Sequence, residues 1–266
     1  MNDVRIRIGL KIQYDGTDFC GWAEQAGQRT VQGTLKTCIE SVCSHAVELR
    51  GASRTDSGAH ALGQFADFES DNPMPAARWA KALNDRLPLD MRVLRSKAVL
   101  SEFHSRFFAR SRTYRYRISE EERVSPIQAR FVYASGRKMD EGAMAQAAEL
   151  VVGRHDFLPF GEELPQGCNT VRELFACAVR RYGREVRITI QANAFIRGMV
   201  RRIAGGLFEV GVGRRSRDEF ASLLDTKRRK RVPWPVVLPA RGLTLLKVDY
   251  GRSYRDLRKE QTFEED

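Results

Sequence analysis

A strict two-residue alternation runs from Val4 to Tyr14. Val4, Ile6, Ile8, Leu10, Ile12 and Tyr14 share one side, and mostly charged residues take the other. That period marks a half-buried strand. The pattern then changes. Val31, Leu35, Cys38, Ile39 and Val42 recur at helical spacing within Val31 to Cys43. Ala46 to Arg50 reads as a short strand and Leu62 to Phe68 as another. Ala76, Trp79, Ala80, Leu83 and Leu87 predict a helix over Pro75 to Leu87, and Met91 to Leu100 returns to a strand. The order is βαββαβ, the ferredoxin-like unit.

The same order recurs in the second half. Arg112 to Ser119 reads as a strand, and Glu141 to Val152 as a helix stopped by Gly153. Val171 to Arg181 and Glu185 to Ala192 predict a hairpin around Gly183. Phe195 to Val210 predicts a helix with Phe195, Met199, Ile203, Leu207 and Val210 facing inward. Ser216 and Glu219 have the spacing of a capping box, and Leu243 to Tyr250 is the last strand. The fold class expected is therefore α+β. Two ferredoxin-like halves would share a continuous, mainly antiparallel sheet, with helices on one face and a basic central cleft. The expected divisions are residues 1–100, residues 101–252 and a polar tail over 253–266.

The charge balance narrows the partner. Lys plus Arg is 45 against 34 Asp plus Glu, giving a net charge of +11 and a pI near 9.7. An excess of that size suggests a polyanionic partner, nucleic acid first. Generic solubility charge would also produce it, but arginines interleaved with aromatics, as in SRTYRYR from Ser111, weigh against that. Cys20, Cys38, Cys43, Cys168 and Cys177 form no CxxC pair, and free thiols in a reducing cytoplasm fit them best. His45, His60, His104 and His155 lack metal-ligand spacing, so no structural zinc is expected. Arg5, Arg7 and Lys11 interrupt the first apolar segment, which argues against a signal-peptide core. No apolar run approaches the length of a membrane span.

One loop carries the chemistry. GASRTDSGAH, Gly51 to His60, sets Asp56 two residues after Arg54 among small and polar residues, between two strands. A neighbouring arginine favours the ionised form of a carboxyl group. A turn whose Asp caps backbone amides is the plain alternative. The equivalent hairpin of the second half, Tyr182 to Glu185, has no such constellation, which points to a single site. Phosphate-loop, dinucleotide, nucleophile-elbow and HExxH motifs are absent, so no cofactor site is expected. Acid–base or covalent chemistry on a nucleic acid remains. Tyr114 and Tyr116 lie on one face of a strand; one or both belong to the core, or one is a stacking platform for an unstacked base. Arg197, Arg201 and Arg202 lie on a helix and would ordinarily be a solvated face. Five consecutive cations in TKRRKRVPWP, Thr226 to Pro235, form either an exposed charge run or a phosphate-contacting arm beside Trp234.

Together these segments resemble the tRNA pseudouridine synthases of the TruA family. YDGTDFCGW from Tyr14, GASRTDSGAHALGQ from Gly51, ALNDRLPLDMRV, FHSRFFARSRTYRY, GRHDFLPF, NAFIRGMVRRIAG and GLTLLKVDY are similar to family segments, in the family order. The resemblance implies that Asp56 is the catalytic aspartate and Tyr114 the tyrosine that stacks on the target uracil. It implies that Arg201 pairs with the aspartate and Arg54 is linked to base flipping. It also implies a homodimer that acts without cofactor in the cytoplasm, converting uridine to pseudouridine at positions 38–40 of the tRNA anticodon stem-loop. Asp56 would add to the base, attack the sugar or take a sugar proton; the residues do not choose. Ser53, Ala59 and Ala23 stand where the family usually has Gly, Val and Gln, and the basic run near Arg229 is unusual for it. A non-catalytic RNA-binding protein on the same scaffold, or a synthase for another RNA site, are the competing expectations.

Overall fold

The computed structural model describes residues 5–251. Val4, at the head of the alternating segment, and the polar tail from Ser253 lie outside the described residues. The first half runs β1 (Ile6–Tyr14), α1 (Val31–Cys43), β2 (Arg50–Gly51), β3 (His60–Ser70), α2 (Trp79–Asn84) and β4 (Met91–Ala98). The second runs β5 (Ser111–Ser119), α3 (Pro126–Ala129), β6 (Tyr133–Ala134), α4 (Glu141–Leu150), β7 (Gly153–Asp156), β8 (Val171–Tyr182), β9 (Glu185–Ala192), α5 (Met199–Gly211), α6 (Arg217–Ser222) and β10 (Leu243–Asp249).

All ten described strands join one sheet, in the order β4-β1-β3-β10-β5-β9-β8-β7, with β2 on β3 and β6 on β5. The first half reads β4-β1-β3-β2. The second half reads β10-β5-β9-β8, so both place their last, first, third and second strands side by side. Pairing is antiparallel except for β10 with β3 and β6 with β5. The seam between the halves is the short parallel pairing Thr244 to His60 and Leu245 to Ala61. It exists because β2 is only two residues long and leaves the start of β3 free for β10.

One face of the sheet carries the core. Ile8, Leu10 and Ile12 of β1 and Phe68 of β3 are buried on it, and Trp79 of α2 meets Phe68 edge-on, with ring centroids 4.9 Å apart. In the second half Val186, Ile188 and Ile190 of β9 and Ile203 and Leu207 of α5 are fully buried. Each such side chain contributes about 1.5–3 kcal/mol by leaving water. On the opposite face of the first half, Arg7 and Arg50 both pair with the fully buried Asp67, and Phe65, Phe103 and Tyr250 pack together.

Several elements depart from the sequence-based expectation. The strand expected over Ala46 to Arg50 shrinks to Arg50–Gly51. Side chains take its backbone partners: Glu40 Oε1 accepts from Val47 N, and Gln32 Nε2 donates to Leu49 O. The helix expected from Phe195 starts only at Met199, because Gly198 adopts a left-handed φ of 74° and Glu162 N holds the Arg197 carbonyl. Arg197 therefore precedes the helix and pairs with Glu163. The helix expected over Pro75 to Leu87 becomes a 3-10 turn over Ala76–Arg78 followed by α2. Gly153 does follow α4, but it also opens a strand that the sequence did not signal. The capping box forms as read, with the Ser216 hydroxyl accepting from Glu219 N and Glu219 accepting from Ser216 N.

Candidate active site

The Asp56 loop rises where the two half-sheets meet. Register places Tyr14, Ala61, Leu245 and Tyr114 in one row across β1, β3, β10 and β5. A bulge in the β1–β3 ladder falls at this end, between Ile12 and Tyr14. Bulges of this kind terminate regular pairing and re-aim the chain. The two tyrosines of the row then clamp alternate loop residues. The Tyr14 hydroxyl lies 2.8 Å from Thr55 Oγ1, and the Tyr114 hydroxyl lies 2.7 Å from Ser53 Oγ. Between them Arg54 points outward and is exposed, with no ion pair or hydrogen bond among the described residues.

Backbone contacts fix the rest of the loop. Gln64 Nε2 donates to Ser53 O at 2.6 Å, and the buried Arg112 donates to Ala52 O at 3.0 Å. Trp22 N donates to Thr55 O, and Gly58 N to Phe19 O. The opening segment thus packs against the Asp56 loop, and one glycine makes that approach feasible. A Cβ on Gly16 would sit 1.9 Å from the Ala59 carbonyl oxygen. Close backbone approach of this kind requires glycine. Gly16 N also donates to His60 Nδ1 at 3.0 Å, leaving His60 Nε2 to donate to the Arg130 carbonyl at 2.8 Å. Burial lowers the His60 pKa, against the opposing pull of Asp15, whose Oδ1 lies 3.1 Å from Nδ1.

Arg201 of α5 reaches the loop from the second half. Its Nη1 lies 3.1 Å from Asp56 Oδ2, and its Nε donates to Leu238 O at 2.7 Å. The same Nη1 lies 3.5 Å from Glu162 Oε2, so two carboxylates share one guanidinium nitrogen. Sequence reading missed Glu162. It is set beside Arg201 by the left-handed turn at Gly198, where an added Cβ would strike the Glu162 side chain at 2.6 Å. Asp56 and Arg201 remain partly open, at 25% and 18% side-chain exposure, so the pair can exchange contacts with a ligand.

The tyrosine pair separates into two environments. Tyr116 is fully buried and its hydroxyl donates to Pro239 O at 2.6 Å, a core role. Tyr114 faces the loop. Burial, with Asp56's negative charge adding to it, pushes the Tyr114 phenol up to about 12, so it stays protonated at neutral pH. Its ring meets Phe195 edge-to-face at 5.2 Å and is only 4% exposed. A base reaches that ring only after Phe195 or the loop shifts. Asp56, Tyr114 and Arg201 are therefore brought together, whereas Arg54 stands beside them in solvent. Arg112 was also missed; it donates to four backbone carbonyls, of Ala52, Arg106, Ala109 and Asn193, and has no acidic partner among the described residues. Among the described residues no group of three His, Cys, Asp or Glu could hold a metal ion. No described helix is long and apolar enough to cross a membrane.

Comparison with known proteins agrees with the geometry. A family model described as tRNA pseudouridine synthase matches residues 11–107 and 147–251. A tRNA pseudouridine synthase A from Nostoc sp. is 38% identical over 248 residues, covering 92% of this chain and 86% of that protein. One from Chlorobaculum tepidum is 39% identical over 246 residues, covering 91% and 97%. One from Acetivibrio thermocellus is 36% identical over 243 residues, covering 91% and 99%. Both matched segments contain the residues that meet at the seam, Asp56 in the first and Arg201 in the second, and the chain belongs to the tRNA pseudouridine synthase family.

Proposed function

We propose that this chain is an isomerase that converts uridine to pseudouridine in tRNA, at positions 38–40 of the anticodon stem-loop. The observation that carries the reading is the Asp56 loop. It stands at the seam, locked by hydroxyls from both half-sheets, with its carboxylate on the Arg201 guanidinium. Rearranging a uridine breaks the bond from the sugar to N1, turns the base and bonds the sugar to C5. C5 loses its proton to solvent and N1 takes one up, so the atoms balance, nothing is oxidised and no atoms are transferred from a cofactor.

The residues divide that work. Asp56 supplies the carboxylate at the reacting centre. Arg201 orients it, an arrangement in which a fixed guanidinium replaces mobile water. Tyr114 offers its ring to the everted uracil, and stacking of one base on an aromatic ring is worth about 1–3 kcal/mol. That offsets much of the few kcal/mol that extrusion costs. Arg54, outward and unpaired among the described residues, is placed to fill the vacated stack or hold a phosphate. We take residues 1–100 and 101–252 to be the two halves that close on the RNA, working in the cytoplasm. We take the chain to work as a homodimer, as the family resemblance implies; Phe175, Ala176 and Ala178 are exposed along β8. Mapping pseudouridines in RNA from cells lacking the protein tests the reading. Loss confined to positions 38–40 of tRNA is expected; an unchanged map contradicts it, and loss elsewhere moves the target.

A further inference from the structure

The basic run and Trp234 sit on a strap that the fold holds rigidly beside the site. Three arginines of α5 and the turn after it grip successive carbonyls of residues 233–238. Arg215 donates to Pro233 O at 2.9 Å, Arg202 to Pro235 O at 2.9 Å, and Arg201 to Leu238 O at 2.7 Å. Gly205 lets the strap lie directly on α5, since a Cβ there would stand 1.9 Å from the Val236 carbonyl oxygen. At the other end Arg229 turns inward and pairs with Asp156 at 2.7 Å. The Asp225 carboxylate accepts from Lys227 N at 2.8 Å and so fixes the start of the run.

What this anchoring leaves outside is uniform in sign. Lys227, Arg228, Lys230 and Arg231 are exposed, and none of them makes an ion pair among the described residues. Trp234 is 47% exposed, with the Arg202 guanidinium 5.9 Å from its ring, and Val236 beside it is 44% exposed. Like charges held close repel, so a merely solvated run would gain from being loose; a fixed one is preorganised for an anion. The strap is also continuous with the reacting centre. Leu238 shares Arg201 with Asp56, and the seven steps of chain from Arg231 to Leu238 span at most about 25 Å when extended.

We propose that this strap is a second RNA-contacting surface. Its four outward cations hold backbone phosphates of the bound tRNA, and Trp234 takes the face of an unpaired base outside the Asp56 pocket. The proposal rests on the tRNA reading above. Cations neutralising phosphates release counterions, so each contact adds to the salt dependence of binding. An exposed indole accepts any base, because every base has a π face. The strap thus supplies affinity and register without reading sequence.

The test is the dissociation constant for an unmodified tRNA transcript, measured across a salt series. Four proteins are compared: the natural chain, K227Q/R228Q/K230Q/R231Q, the charge-keeping K227R/R228K/K230R/R231K, and W234A. The neutralised variant is expected to bind at least about tenfold more weakly at physiological salt, with the slope of log Kd against log salt reduced by about three. The charge-keeping variant should match the natural chain. W234A should lose about five- to a hundredfold with little change in slope. A neutralised variant with unchanged Kd and slope overturns the phosphate contacts, as does equal loss in both quadruple variants, which would mean a structural role. Unchanged binding by W234A overturns the base contact. A natural chain that makes no pseudouridine in any tRNA sinks the tRNA reading instead, whereas an active chain with an indifferent strap sinks this proposal alone.

Discussion

Replacing Arg201 by methionine leaves Asp56 and Glu162 facing each other without their shared cation. Both carboxylates contact the same nitrogen, at 3.1 and 3.5 Å. Their oxygens are therefore no more than about 6.6 Å apart, where two unit charges repel by about 0.6 kcal/mol in bulk water and about 2.5 kcal/mol at an effective dielectric constant of 20. Partial exposure of both acids places the repulsion between those limits. R201M also strips the Leu238 carbonyl of its donor, at a cost of about 1–3 kcal/mol for a buried acceptor. Activity should fall at least about a hundredfold, the scale for losing one preorganised electrostatic group. Adding E162Q to R201M removes the repulsion but restores nothing to Leu238. In chemical denaturation the double mutant should recover about 1–2 kcal/mol relative to R201M. E162Q alone should shift stability by less than that, because Arg201 keeps Asp56. Strict additivity of the two substitutions would refute the shared-cation geometry.

S53A leaves the Tyr114 hydroxyl without its partner in a nearly closed site. A loss of about 1–3 kcal/mol in unfolding free energy is expected, and Y114F in the S53A background should return most of it. G16A drives a methyl into the Ala59 carbonyl; denaturation should show a loss of about 3 kcal/mol, with turnover falling because the Asp56 loop moves. His60 titrates more readily unfolded than folded, since burial lowers its folded pKa. Its contribution is thus intact above about pH 6.5 and is lost as pH falls through the unfolded value toward the folded one. Denaturation midpoints between pH 7.5 and 5 should fall for the natural chain and be flatter for H60Q.

Legibility in the sequence followed how local each cause was. β1 was readable because Ile8, Leu10, Ile12 and Tyr14 are all buried while Lys11 between them stays exposed; the alternation breaks at Ile6, which is exposed, and at Gly9, which is buried. The capping box at Ser216 was readable because both partners lie within one turn. β2 was not, because Gln32 and Glu40 of α1 satisfy backbone groups that a strand would have used. The start of α5 was misplaced because Gly198 takes a left-handed conformation tied to Glu162, far away in the chain. At the site, the family motifs singled out Asp56, Tyr114 and Arg201, and the fold brings these together. Their supports were invisible: Tyr14 on Thr55 and Arg201 on Leu238 are tertiary contacts without a periodic signature. The basic run looked like one block of charge, yet Arg229 faces inward while its neighbours face out.

The central claim is that the Asp56 carboxylate performs the isomerisation. The direct measurement is release of tritium from tRNA labelled at uracil C5, run beside tRNA binding, for the natural chain and D56N. D56N should bind tRNA within about threefold of the natural chain yet release no tritium above background. Release by D56N within about tenfold of the natural rate would contradict the assignment.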